Sequence, residues 1–115
     1  MEFDLPYVFQ QSSSAAGYNS RWLNTIVIKE SVYKKGMRDE LMLYLKDKGI
    51  ETRPGFVSFN QMKIYKKYCK GAFPHSEKIS QSSLSLPTTN VSYKDQDYII
   101  SQLSYEIDKL NKVQR

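Results

Sequence analysis

Apolar and polar positions along this chain repeat with two different periods, and each period predicts its own kind of element. In RWLNTIVIKE, Trp22, Asn24, Ile26 and Ile28 alternate with Leu23, Thr25 and Val27, a β-branched run that predicts a strand over about residues 22–29. Both faces carry apolar side chains, so this strand should sit in the middle of a sheet. From about residue 36 to 48 the spacing becomes helical: Met37, Leu41, Tyr44 and Leu45 share one face, while Arg38, Asp39, Lys46 and Asp47 point elsewhere. Gly49 then takes the left-handed conformation cheaply, and Ile50 can fold back on the last turn in a Schellman closure. Pro54 disfavours helical geometry at Arg53 and donates no hydrogen bond, so residues 50–54 should leave in extended form and end at an edge or rim.

After Gly55, the spacing of Lys63, Lys66, Lys67 and Lys70 predicts a helix over about residues 60–69, with the cations in one stripe and Met62, Tyr65 and Cys69 on another face. Pro74 suits the first turn of a short helix in FPHSEKISQ, and SLSLP predicts a strand near residues 83–86 that Pro87 stops. The final helix has Ser92 as its cap with Asp95 three positions on, then an apolar stripe of Ile99, Ile100, Leu103, Ile107 and Leu110. Small polar residues in QQSSSAAGYNS read as a loop, so residues 1–20 are expected to be a flexible lead-in and residues 21–115 a single domain. The order of elements predicts an α/β (α+β) two-layer domain, with helices packed on a small mixed or antiparallel sheet. If the first two strands are parallel across their helix, SLSL lies between them, antiparallel to both.

At 115 residues, 40% hydrophobic and 25% charged, the composition fits one globular domain. Nothing approaches an apolar run of roughly 18 residues, and the start MEFDLPYVF lacks a basic then apolar organisation, so a soluble cytoplasmic protein without a membrane partner is expected. A single cysteine, Cys69, excludes an internal disulfide, and with the single histidine, His75, it argues against zinc. Cys69 is expected to pack and His75 to lie on the surface. The net charge of +5 changes the picture only through its placement, because residues 61–72 carry +4 of it. That stripe is either the solvated face of a helix or a patch for nucleotide phosphates or nucleic acid, with Tyr65 and Tyr68 available for stacking.

The run KGIETRPGFVSFNQM, together with YNSRWLNTIVI, RDELMLYLKDKGIETRP and FPHSEKISQSSLSLPTTNVSYKDQDYII, resembles the C-terminal domain of the DegT/DnrJ/StrS-type sugar aminotransferases. The resemblance implies the small domain of an aspartate-aminotransferase-type enzyme that depends on pyridoxal phosphate (PLP), usually in a homodimer. Such enzymes transfer an amino group, generally from glutamate, to a nucleotide-linked keto sugar, in the making of amino sugars and cell-surface polysaccharides. Their Schiff-base lysine lies on a larger domain that has no match here, so the chain alone is expected to bind no PLP and to be inactive. It would work beside a cofactor-bearing large domain, on the same or a separate chain, and contribute substrate contacts.

Arg53 is the first candidate for these, since a guanidinium grips a carboxylate or phosphate through two hydrogen bonds, although an ion pair with Glu51 would explain it equally. Asn60 stands where many relatives have histidine, and both types can bond a sugar hydroxyl. The loop GFVSFNQM lacks the relatives' proline before that position. Phe56 and Phe59 would supply flat apolar surface. Trp22 and Asn24 would lie at the cleft entrance, against the competing expectation that a Trp at a strand start is core. The alternative function is a small basic nucleic-acid-binding module built on Lys63, Lys66, Lys67 and Lys70.

Overall fold

The computed structural model describes residues 3–11 and 16–113. Strands β1 (Val8–Gln10), β2 (Asn24–Ile28), β3 (Arg53–Pro54) and β4 (Ser83–Leu86) form one four-stranded sheet in the order β1-β2-β4-β3. Every neighbouring pair is antiparallel, so β2 and β3, on either side of β4, run parallel to each other. SLSL therefore sits between the two strands joined by the first helix, the arrangement expected if those two strands are parallel. Helices α1 (Met37–Asp47) and α3 (Tyr93–Val113) pack on each other and complete a two-layer α+β domain, while α2 (Pro74–Ser82) runs straight into β4.

The side-chain alternation of β2 decides where the core lies. Ile26 and Ile28 face inward with Leu84 and Leu86 of β4, and Met37, Leu41 and Leu45 of α1 and Ile99, Leu103, Ile107 and Leu110 of α3 close over them. Leu41, Leu45 and Leu103 are fully buried, and truncating any one to alanine should cost about 2–5 kcal/mol. The opposite sheet face carries Thr25 and Val27. β4 is buried along its whole length despite its serines, because the Ser85 hydroxyl pairs with that of Thr25 at 2.9 Å.

The lead-in expectation needs correction. Val8–Gln10 form an edge strand on β2, Val8 is buried, and Phe3, Leu5 and Tyr7 pack against the core. Three residues are too few to show alternation before a serine-rich run, and the Lys29 amide bonding the Tyr7 carbonyl at 2.9 Å is a long-range contact. The loop's Ser12–Ala15 portion lies outside the described residues.

Helix ends follow the sequence closely. Gly49 has φ 80°, the Ile50 amide donates to the Leu45 carbonyl at 2.8 Å and the Gly49 amide to Lys46 at 3.0 Å, which is the Schellman pattern. Ser92 and Asp95 form a reciprocal capping box at 3.1 and 3.3 Å. Arg38 ties α1 to the second layer, its Nη1 donating to the carbonyls of Ser80 at 2.6 Å and Ser83 at 3.2 Å, where α2 ends. A cation there also complements the helix dipole.

The lysine-striped helix is not formed. Residues 59–69 instead make two separate 3-10 turns, Phe59–Gln61 and Lys66–Tyr68, neither of which contains a buried residue. Without an apolar face packed on the domain, nothing repays the entropy of fixing a regular helix.

Candidate functional site

The loop that leaves β3 is built by contacts to α2 and β4. Pro54 ends β3 at the sheet edge, and the Gly55 amide donates to the Ser83 carbonyl at 3.0 Å, extending the pairing by one residue. A Cβ at position 55 would lie 1.8 Å from Ser83 Oγ, so glycine is required by close approach. The Ser58 amide donates to Ser80 Oγ at 3.2 Å, the Ser58 hydroxyl bonds Asn60 Oδ1, and Asn60 Nδ2 donates to Glu77 Oε1. One face of α2, through Glu77 and Ser80, thus braces the loop.

Between loop and helix lies an open groove of about 620 Å³. Phe56, Phe59, Met62, Phe73 and Ile79 supply its apolar wall, with Asn60, Ser58 and Ser80 as polar points. Phe56 is 80% exposed and Phe59 67%, and the Phe59 ring tilts on Tyr65 at 5.2 Å between centroids. Exposed rings beside a held amide can receive a flat or polyhydroxylated ligand. Neither acid nor lysine lines the groove, and Glu77 is engaged by Asn60, so this surface can bind and orient but offers no general base.

Phe56, Phe59 and Asn60 are therefore brought together, and the other candidates are not. Arg53 lies in a second groove with Asp39, Met42, Leu43, Lys46 and Glu51. Its Nη2 pairs with Glu51 Oε1 at 2.8 Å, both side chains being 77% exposed, so the pair holds it only weakly. Trp22 is 75% exposed, which overturns its reading as core, and it lines neither groove. It precedes β2 in a bend, and its carbonyl accepts a bond from the Thr88 hydroxyl at 3.2 Å. Asn24 is 1% exposed, not at a cleft entrance: it shares the inward face with Ile26 and Ile28, and its Oδ1 accepts from Gln10 Nε2. The alternation that placed those isoleucines inward applies equally to it.

Several residues of the site escape sequence reasoning. Ser58, Glu77 and Ser80 join through contacts 17–22 positions apart, which no local pattern reveals. Cys69, a free thiol, forms part of the groove wall, and His75 is exposed in the first turn of α2. Among the described residues no group of acids, histidine and cysteine could hold a metal ion, and no helix is long and apolar enough to cross a membrane.

Comparison with known structures places the fold. The protein Spr1654 of Streptococcus pneumoniae, designated a sugar aminotransferase, aligns with a TM-score of 0.83 at 17% identity over 94% of this chain and 28% of its own. It has also been solved in PLP and pyridoxamine-phosphate forms. Helicobacter pylori PseC, an aminotransferase of pseudoaminic acid biosynthesis, aligns at 0.76 and 16% identity, covering 92% of this chain and 29% of its own. DesI, solved in the presence of its TDP-sugar product, aligns at 0.80 and 26% identity, covering 96% of this chain and 29% of its own. The chain thus spans less than a third of the length of these structures. No curated protein sequence matches it at a significant level. The sequence profile of the DegT/DnrJ/EryC1/StrS aminotransferase family matches residues 3–104, nearly all of the two-layer domain, and the chain belongs to that family.

Proposed function

We propose that this chain is the C-terminal-type small domain of a PLP-dependent aminotransferase acting on a nucleotide-linked keto sugar, and that it supplies one wall of the substrate site. The observation that carries this reading is the groove itself, formed by the part of the loop that resembles the family's, GFVSFNQM, and lined by Phe56, Phe59 and Asn60. DesI, the relative with a TDP-sugar product, is consistent with that substrate class. Phe56 and Phe59 would pack on the sugar or base, and Asn60 would bond a hydroxyl. Arg53 is a weaker contributor, because it lines a second groove apart from Phe56, Phe59 and Asn60.

The residues present do not fit the cofactor. A Schiff-base lysine is activated by desolvation or by a neighbouring cation in a closed site, whereas every lysine of this chain is exposed. The cofactor and its lysine are assigned to a large domain, in the same or a separate chain. An exposed apolar face supports such a covering partner: Ile79 lines both the groove and a neighbouring depression with Phe9, Val27 and Tyr33.

The test adds PLP to this chain, alone and with a cofactor-bearing large domain of the family, in the presence of glutamate and a nucleotide keto sugar. Transamination is expected only in the mixture, with Asn60→Ala and Phe59→Ala raising KM more than they lower kcat. A stoichiometric Schiff-base absorption band on this chain alone, lost on replacing one lysine, would overturn the assignment.

A further inference from the structure

The charge of this molecule is segregated. Residues 52–76 hold Arg53, Lys63, Lys66, Lys67 and Lys70 and no acid, while in the rest of the chain twelve cations face twelve acids. The whole formal charge of +5 therefore belongs to one 25-residue segment. Within it Arg53 is met by Glu51 in a groove that also contains Asp39. The four lysines differ: each is exposed, and among the described residues none takes part in an ion pair. The first acid that follows, Glu77, is engaged by Asn60.

These lysines belong to the stretch of chain that joins two residues of the groove wall. The chain leaves the groove wall at Met62 and returns to it at Cys69, with Lys63, Lys66 and Lys67 between and Lys70 next. Lys66 and Lys67 lie in the second 3-10 turn and Lys63 and Lys70 on either side of it, so the four do not share a helical stripe. Tyr68, 72% exposed, lies under Lys67 Nζ at 5.0 Å from its ring centroid. An apolar aromatic hollow with a neutral amide inside and unpaired ammonium groups on the chain that joins its wall residues is complementary to a ligand with a flat body and a multiply charged end. Its volume of about 620 Å³ suits one nucleotide unit more than a strand.

We infer that Lys63, Lys66, Lys67 and Lys70, and not Arg53, form the anion-binding rim of this wall, and that they hold the diphosphate of a nucleoside diphosphate whose base or sugar rests on Phe56, Phe59 and Tyr65. The inference rests on the substrate class proposed above and adds the residues that select its charged part. An ammonium about 4 Å from a phosphate charge in water gains roughly 1 kcal/mol, or about fivefold in affinity per lysine, and salt screens it.

The test titrates this chain with UDP, dTDP, uridine and inorganic pyrophosphate, read by amide chemical shifts in 20 mM and 300 mM salt. Expected are saturable shifts at residues 56–70 with both diphosphate nucleotides, weaker shifts with uridine, and loss of affinity at high salt. Lys66→Gln/Lys67→Gln should lose at least fivefold and Arg53→Gln less than twofold, with unchanged circular dichroism. Unchanged binding by the double lysine variant, a larger loss with Arg53→Gln, or a single-stranded RNA oligomer binding more tightly than UDP would overturn the inference. Nucleotide binding without transamination in the two-domain mixture would sink the functional proposal and leave the rim standing. Transamination with a KM indifferent to the lysines would do the reverse.

Discussion

Replacing Gly55 with alanine puts the hinge between sheet and groove to a quantitative test. The added Cβ would lie 1.8 Å from Ser83 Oγ, 2.8 Å from Ser83 Cβ and 3.4 Å from the Ser83 carbonyl carbon. Rotating Ser83 about χ1 relieves the first contact but leaves the second, because Cβ does not move in that rotation. The two backbones must therefore separate by about half an ångström or more, which lengthens the 3.0 Å bond from the Gly55 amide to the Ser83 carbonyl. Overpacking of this kind costs about 1–3 kcal/mol and a weakened buried hydrogen bond about 0.5–1.5 kcal/mol, so a total near 2–3 kcal/mol is expected. Urea unfolding measures it: with a slope of about 1.3 kcal/mol/M the midpoint should fall by roughly 2 M without a change of slope. Adding Ser83→Gly should recover at least about 1 kcal/mol beyond additivity in a double-mutant cycle. A Gly55→Ala midpoint within about 0.3 M of the parent, or strict additivity with Ser83→Gly, would refute the close-approach account.

Gly49→Ala tests the opposite kind of glycine: nothing lies within 4 Å of its would-be Cβ, so only the φ of 80° is opposed, and a loss of about 1 kcal/mol is expected in the same unfolding assay. Ser92→Ala should cost about 0.5–2 kcal/mol and increase amide exchange in the first turn of α3, with no change at the groove. Glu106 is buried between α1 and α3, and desolvation, opposed by Lys109 and reinforced by Glu40, raises its pKa above the ordinary 4.5. The folded state then holds this proton more tightly than the unfolded one, so its contribution is present below about pH 4.5 and lost as pH rises through the raised value. Glu106→Gln should therefore gain stability relative to the parent across that window, and a difference that stays flat from pH 4 to 8 would contradict the burial account.

The fold was legible where local rules and tertiary demands agree. Gly49, Ser92 with Asp95, Pro74 and the β2 alternation each act within a few residues, and each end or face they predict is present. The lysine segment misled because charge spacing alone looks helical, while Met62, Tyr65 and Cys69 never find a core to cover. β1 is specified by its partner Ile26–Ile28 more than by its own three residues. Phe56, Phe59 and Asn60 fall within five positions of one another, so one loop brings them to the same groove. Arg53 suits anion binding by its chemistry, but it lies in a different groove from the loop residues, where Glu51, two positions earlier, pairs with it weakly at the surface.

No member of the hydrophobic core occurs between Ile50 and Leu84. The segment is anchored at one end by the Gly55–Ser83 bond and at the other by α2, itself fastened to α1 through Arg38. What lies between contributes nothing to the hydrophobic core, so changes of its shape, charge or length are expected to leave that packing intact. On the function proposed above, grafting residues 56–73 between relatives should change ligand selectivity while the architecture stays fixed.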